Sequence, residues 1–169
     1  MNSTTVKSSS RIHVSDLAKT GLVAALYVTV TLMLSVISFG VIQLRLSEMF
    51  NYLALYHKRY IAAVTLGVVI ANFMSPTWIL DVPIGGTATL LLLLLCRAVT
   101  KKMPNNVWKI ATTAILFTVS MFTVALQLTF LLGLPFWPTY LSVALGEFVS
   151  MAVGGIIIHT LSKKIDFTK

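Results

Sequence analysis

Charge is scarce in this chain. Only 11% of its 169 residues are charged and 57% are hydrophobic, whereas an ordinary soluble domain carries about 25% charged residues. There is too little polar surface here to cover a water-facing globule. Acids are the rarer sign, five against thirteen Lys and Arg, which leaves a net charge of +8. Cysteine is nearly missing too: Cys96 stands alone, which excludes an internal disulfide, and its place in an apolar run reads as packing. Other absences narrow the function. No Gly-rich phosphate loop is present, and no His/Cys cluster that would bind a metal. His13, His57 and His159 all fall on the side read below as cytoplasmic, and no nucleophile–base pair can be drawn. An enzyme is therefore not expected, nor a resident cofactor.

What is present is long apolar sequence. The runs are continuous, as in the leucines from Leu90 to Leu95, and do not alternate as a membrane β-barrel strand would. The expected class is an all-α integral membrane protein in the lipid bilayer of the cell membrane. Six helical segments can be marked, at about 16–37, 42–56, 60–74, 83–99, 107–132 and 138–162. The second and third are short against the ~20 residues of a straight span, as tilted or partly re-entrant segments would be. Residues 1–15 read as a cytoplasmic N-terminal tail, 16–162 as one six-helix domain, and 163–169 as a C-terminal tail. Ser15 and Asp16 suit the start of the first helix.

The basic residues test this segmentation. With the N-terminus inside, the tail, the loops after the second and fourth helices and the C-terminal tail hold twelve of the thirteen. The opposite connections, around 38–40, 75–81 and 133–137, hold none. That alternation is the positive-inside pattern of six spans with both ends cytoplasmic. It also accounts for the basic charge without nucleic acid. Arg45 is the exception.

Arg45 leads to the site. Ionisable groups are costly at membrane depth and usually face a bundle interior or a water-filled cavity. Glu48 lies roughly 9 Å into the second helix and Glu147 roughly 13 Å into the sixth, at 1.5 Å per residue. Asp81 opens the fourth helix on the same outer side. Asn72 ends the third, and Gln127 lies near the outer end of the fifth. Polar residues from five helices thus converge on the outer half of the membrane, which predicts a polar pocket opening outward over apolar packing. A channel or proton relay would string such groups through the full thickness. Three acids against Arg45 suit a ligand rich in N–H donors. Simpler readings stand beside this one. Arg45 and Glu48 are i, i+3 neighbours that can satisfy each other, and Asp81 can serve as a helix N-cap with Pro83 following. Trp78 and Trp137 fit an aromatic belt as well as a binding role.

Small residues recur at four-residue spacing: Gly21 and Ala25; Ala63, Gly67 and Ala71; Gly146, Ser150 and Gly154. Such faces let helices approach closely. The last two sets read as packing within the chain, the first as packing or a surface for another membrane subunit.

Several stretches together resemble one family. They are Ile42-Gln43-Leu44-Arg45-Leu46-Ser47-Glu48, Ala71-Asn72 with Ser75-Pro76, and Leu80-Asp81 followed by Gly85-Gly86-Thr87-Ala88-Thr89-Leu90. Gly133-Leu134-Pro135-Phe136-Trp137 followed by Val143-Ala144-Leu145-Gly146-Glu147 completes the set. The chain is similar, from about residue 20 to 162, to the QueT family of substrate-binding S components of energy-coupling factor (ECF) transporters. It has Gly85-Gly86-Thr87 where the family tends to Gly-Ser-Leu. The resemblance implies capture of a queuosine precursor, a 7-deazaguanine, from outside. It implies a transmembrane T subunit and two cytoplasmic ATPases as partners, which use the ATP. Gly21 and Ala25 would face the T subunit. Glu48 and Glu147 would anchor the ligand, Asn72, Asp81 and Gln127 would complete the site with Arg45 at its edge, and Trp137 or Trp78 would stack on the ring. An S component for another vitamin or purine, or a transporter working alone, would carry much the same residues.

Overall fold

The computed structural model describes residues 14–39 and 43–168. The expected tail over the first dozen residues lies outside them, as does Gly40. Every regular element among the described residues is helical. Helix α1 is Val14–Met33, which breaks at Leu34 and resumes for one turn, Ser35–Ser38. Helix α2 covers residues 46–56: a 3₁₀ segment, Leu46–Tyr52, runs into one α-turn, Leu53–Tyr56. Helix α3 is Arg59–Asn72. Helix α4, Trp78–Thr100, contains a π-turn at Asp81–Gly85. Helix α5 is Asn106–Leu132, interrupted at Met121, and α6 is Phe136–Leu161. By length and composition α1, α4, α5 and α6 can each cross a membrane. Helix α3 is apolar but only 14 residues long.

Local chemistry fixes the boundaries. Asn105 caps α5, its side-chain oxygen accepting from Val107 N at 2.9 Å. Gly133 ends α5 in the left-handed region, φ 67°, which a residue with a Cβ adopts at a cost. The outer surface is apolar: Leu91, Ile115, Phe130 and Ile156 are exposed. Such a surface is unfavourable in water and favourable against lipid tails.

Two of the small-residue stripes lie inside, as intramolecular packing predicts. Ala63, Gly67 and Ala71 are buried where α3 meets α1. A Cβ on Gly67 would stand 2.8 Å from Tyr27 Cβ, so the glycine sets how closely the two helices approach. Gly146, Ser150 and Gly154 are buried where α6 meets α2, with Met49 against Gly154. Gly21 and Ala25 face outward, and no atom lies within 4 Å of where a Gly21 Cβ would be. Cys96 is buried in the core, as its apolar context predicts.

The structure departs from the sequence expectation at three places. Residues 43–45 are not helical, and Gln43 has φ 49°. From there the chain enters a 3₁₀ helix, whose three-residue repeat stacks Arg45, Glu48 and Asn51 in one column. Helix α4 begins at Trp78, five residues before Pro83, so Asp81 is inside the helical run and is not its N-cap. Pro83 has no N–H to give the ladder, and the chain widens into a π-turn around it. Helix α5 is broken where Ser120 Oγ donates to Phe117 O and Thr123 Oγ1 donates to Ser120 O, side-chain bonds that bend a helix.

At the end of the bundle away from these departures, Asp16 of α1 pairs with Arg59 at the start of α3. Arg59 Nε also donates to His57 Nδ1 at 2.9 Å.

Candidate functional site

The three departures border one cavity of about 170 Å³. Val68, Ala88, Leu92, Phe117 and Leu128 supply its apolar surface. Its polar lining includes Arg45, Glu48, Asn72, Asp81 and Gln127, five of the residues predicted from sequence. They come from α2, α3, α4 and α5 and meet at one end of the bundle.

Glu48 forms one wall. It is 7% exposed, and both carboxylate oxygens carry internal donors. Tyr27 Oη donates to Oε1 at 2.6 Å, and Asn51 Nδ2 donates to Oε2. Arg45 Nη1 stands 3.8 Å from Oε1, so the i, i+3 pairing is present. The neighbouring bond between Thr31 and Ser47, 2.6 Å, ties α1 to α2 a second time. The carboxylate is thereby held at the cavity edge with its remaining lone pairs available.

The opposite wall is built on Asp81. Ser75 Oγ donates to Oδ2, as does Thr77 Oγ1 at 2.6 Å, and Gln127 Nε2 donates to Oδ1. Asn72 joins the two walls. Its Nδ2 donates to the Asp81 carbonyl at 2.8 Å, and its Oδ1 accepts from Arg45 Nη1 at 3.5 Å. Gly85 leaves room for that amide: a Cβ there would lie 2.6 Å from Asn72 Nδ2. π-turns often mark functional sites, and this one opens α4 so that a side chain of α3 can reach its backbone.

Two predicted residues do not line the cavity. Glu147 lies inside the bundle, 3% exposed, with Oε1 lacking a hydrogen-bond partner among the described residues. It is within electrostatic reach of Glu48 and Arg45. Trp137 is 69% exposed and meets Phe136 edge-to-face at 5.1 Å. Trp78 leans on Phe73. The aromatic rings at the cavity are Phe39 and Phe117, with the Arg45 guanidinium 5.3 Å from the Phe39 centroid. Sequence reading missed the positioning groups Tyr27, Asn51, Ser75 and Thr77. Asn51 had a signal, three residues beyond Glu48. Tyr27 offered a lone hydroxyl inside an apolar run.

Chemically the cavity sets two carboxylates and three amides, those of Gln43, Asn72 and Gln127, against one guanidinium. It can accept hydrogen bonds from a compact, donor-rich ring and sandwich its faces between apolar side chains. It is smaller than the ~300–1,000 Å³ of drug-sized sites.

Comparison with known proteins bears on this arrangement. The family model described as QueT transporter matches residues 17–163. A relative from Lactococcus lactis subsp. cremoris (strain MG1363), named queuosine precursor transporter QueT, is 42% identical over 163 residues, covering 91% of this chain and 96% of its own. No solved structure matches significantly. The family is one of transporters, not of enzymes. With most of its length matched by the family model, this chain belongs to the QueT transporter family.

Proposed function

We propose that this chain is the substrate-binding S component of an ECF-type importer of the cell membrane and captures a queuosine precursor, a 7-deazaguanine, from outside. The observation that carries the reading is the convergence of Glu48, Asn72, Asp81 and Gln127 on one small cavity in a chain of the QueT family. A guanine-like ring offers adjacent N–H donors that a carboxylate accepts in pairs. An aminomethyl substituent would be cationic and would take a second acid. Glu48 is the first anchor, and Asp81 with Asn72 and Gln127 forms the opposite clamp. Glu147, buried and with Oε1 unpartnered among the described residues, is the second anchor. Trp137 belongs to a rim that closes over the bound ring.

The chain threads six spans, with α2 and α3 as the short ones and both ends in the cytoplasm. The distribution of twelve of thirteen basic residues supports this topology. A T subunit docks on the outward stripe of α1 at Gly21 and Ala25, and two ATPases bound to it hydrolyse ATP. The exposure of both small residues supports that role.

Titration of purified protein with 7-deazaguanine precursors tests the site. Glu48→Gln and Glu147→Gln are each expected to weaken binding by about 1.5–3 kcal/mol, the worth of a hydrogen bond to a charged group. Unchanged affinity in both variants would sink the assignment. Uptake into vesicles holding this chain alone would instead favour a solitary transporter.

A further inference from the structure

A second hollow has no part in the reading above. A groove of about 400 Å³ runs between the first half of α5 and the second half of α6. Ala111 and Ile115 line it from one helix, Phe148, Ala152 and Ile156 from the other. Gly155 sets how closely the two helices approach at its floor: a Cβ there would lie 2.8 Å from Ile110 Cγ2 and 3.3 Å from the Tyr52 hydroxyl. Both flanking helices are long and apolar enough to cross a membrane, so the groove is open to acyl chains along its length.

The chemistry changes at the end formed by the start of α5 and the end of α6. His159 enters the lining there. Its Nδ1 is buried with no partner among the described residues. Ile110 is shared with an adjoining hollow of about 260 Å³ lined by Lys109, Asn106 and Tyr56. Lys109 is half-buried, and the ion pairs among the described residues, Arg45–Glu48 and Arg59–Asp16, do not include it. Lys163 and Lys164 follow directly after α6. An apolar slot therefore leads towards a histidine ring and a half-buried lysine that has no ion-pair partner among the described residues.

We propose that this groove is a binding site for one anionic phospholipid, with an acyl chain between α5 and α6 and the phosphate at Lys109 and His159. Charge complementarity selects the occupant. A helix of another subunit with an apolar face would leave Lys109 unanswered, whereas a phosphate diester supplies its ammonium with acceptors. The inference requires membrane insertion and does not depend on which molecule the chain transports.

Native mass spectrometry of the full chain, titrated with phosphatidylglycerol or with phosphatidylcholine of the same acyl chains, tests it. Phosphatidylglycerol is expected to bind at one saturable site and more tightly than phosphatidylcholine. Lys109→Gln should weaken that site about fivefold, the weight of one lysine near an anionic surface. Ala152→Phe, at an exposed position that fills the groove, should abolish it, and Ala111→Phe should repeat that result should Ala152→Phe not fold. Lys102→Gln, exposed and lining neither hollow, should leave it unchanged. Equal binding of the two lipids would overturn the proposal. So would wild-type phosphatidylglycerol binding by Lys109→Gln, or by both groove-filling variants.

Discussion

Glu48 is surrounded by groups that act on it from three directions. Tyr27 and Asn51 each give it a hydrogen bond, Arg45 gives it a countercharge, and its open side faces the cavity. An unpaired carboxylate inside a bundle is costly, so these neighbours offset that cost and aim the group. Tyr27→Phe removes one donor and leaves the charge. We expect about 1.5–3 kcal/mol of lost stability, read as a fall in melting temperature in detergent, together with weaker ligand binding as Glu48 loses its fixed orientation. A variant that loses stability but binds ligand as before would show that Asn51 alone orients the carboxylate. The acids of this site were legible in the sequence because each is expensive where it stands. Tyr27, Ser75 and Thr77 were not. A hydroxyl is cheap enough to sit in an apolar helix or a connection for many reasons, and only the fold tells which carboxylate it reaches.

Among the helices, positions were readable and irregularities were not. Unbroken apolar runs such as Leu90 to Leu95 mark where a helix must be. The 3₁₀ turn of α2, the π-turn of α4 and the break in α5 depend instead on which polar groups the fold brings together. The π-turn has a testable dependence on Gly85. Gly85→Ala places a Cβ against the Asn72 amide and should break its bond to the Asp81 carbonyl, at about 1–3 kcal/mol of stability. Ligand affinity should fall as well, measured by titration, because Asn72 no longer bridges α3 and α4. The turn between α2 and α3 carries a pH response. Partial burial, and then the nearby Arg59 guanidinium, hold His57 below its ordinary pKa of 6.5. The unfolded chain then binds the proton more readily than the folded one, so stability rises with pH. The contribution of His57 is complete above 6.5, declines as pH falls through that value, and levels off below the lowered folded-state value. Melting temperatures between pH 8 and 5 should show this slope, and His57→Asn should flatten it.

At the scale of the whole molecule, α1 has two working faces. Tyr27 and Thr31 point inward to the wall of the cavity, and Gly21 and Ala25 point outward. If the outward face docks a T subunit, Ala25→Trp should leave precursor binding within about twofold, since a surface substitution away from special features costs at most about 0.5 kcal/mol. Uptake by the assembled transporter should be lost. Loss of binding along with uptake would place Ala25 in the fold and not at an interface. The packing stripes on α3 and α6 were legible as small residues at four-residue spacing, because close approach leaves few alternatives to Gly, Ala and Ser. Their partners, Tyr27 and Met49, could be found only in three dimensions. Cys96 adds something practical. The chain's one thiol is sealed in the core, so a water-soluble maleimide meets no native thiol on the folded protein. Reporter cysteines can be introduced singly or in pairs without first stripping the chain. Spin or fluorescent labels on the last turn of α1 and on the start of α4 would then follow the distance across the cavity mouth in real time.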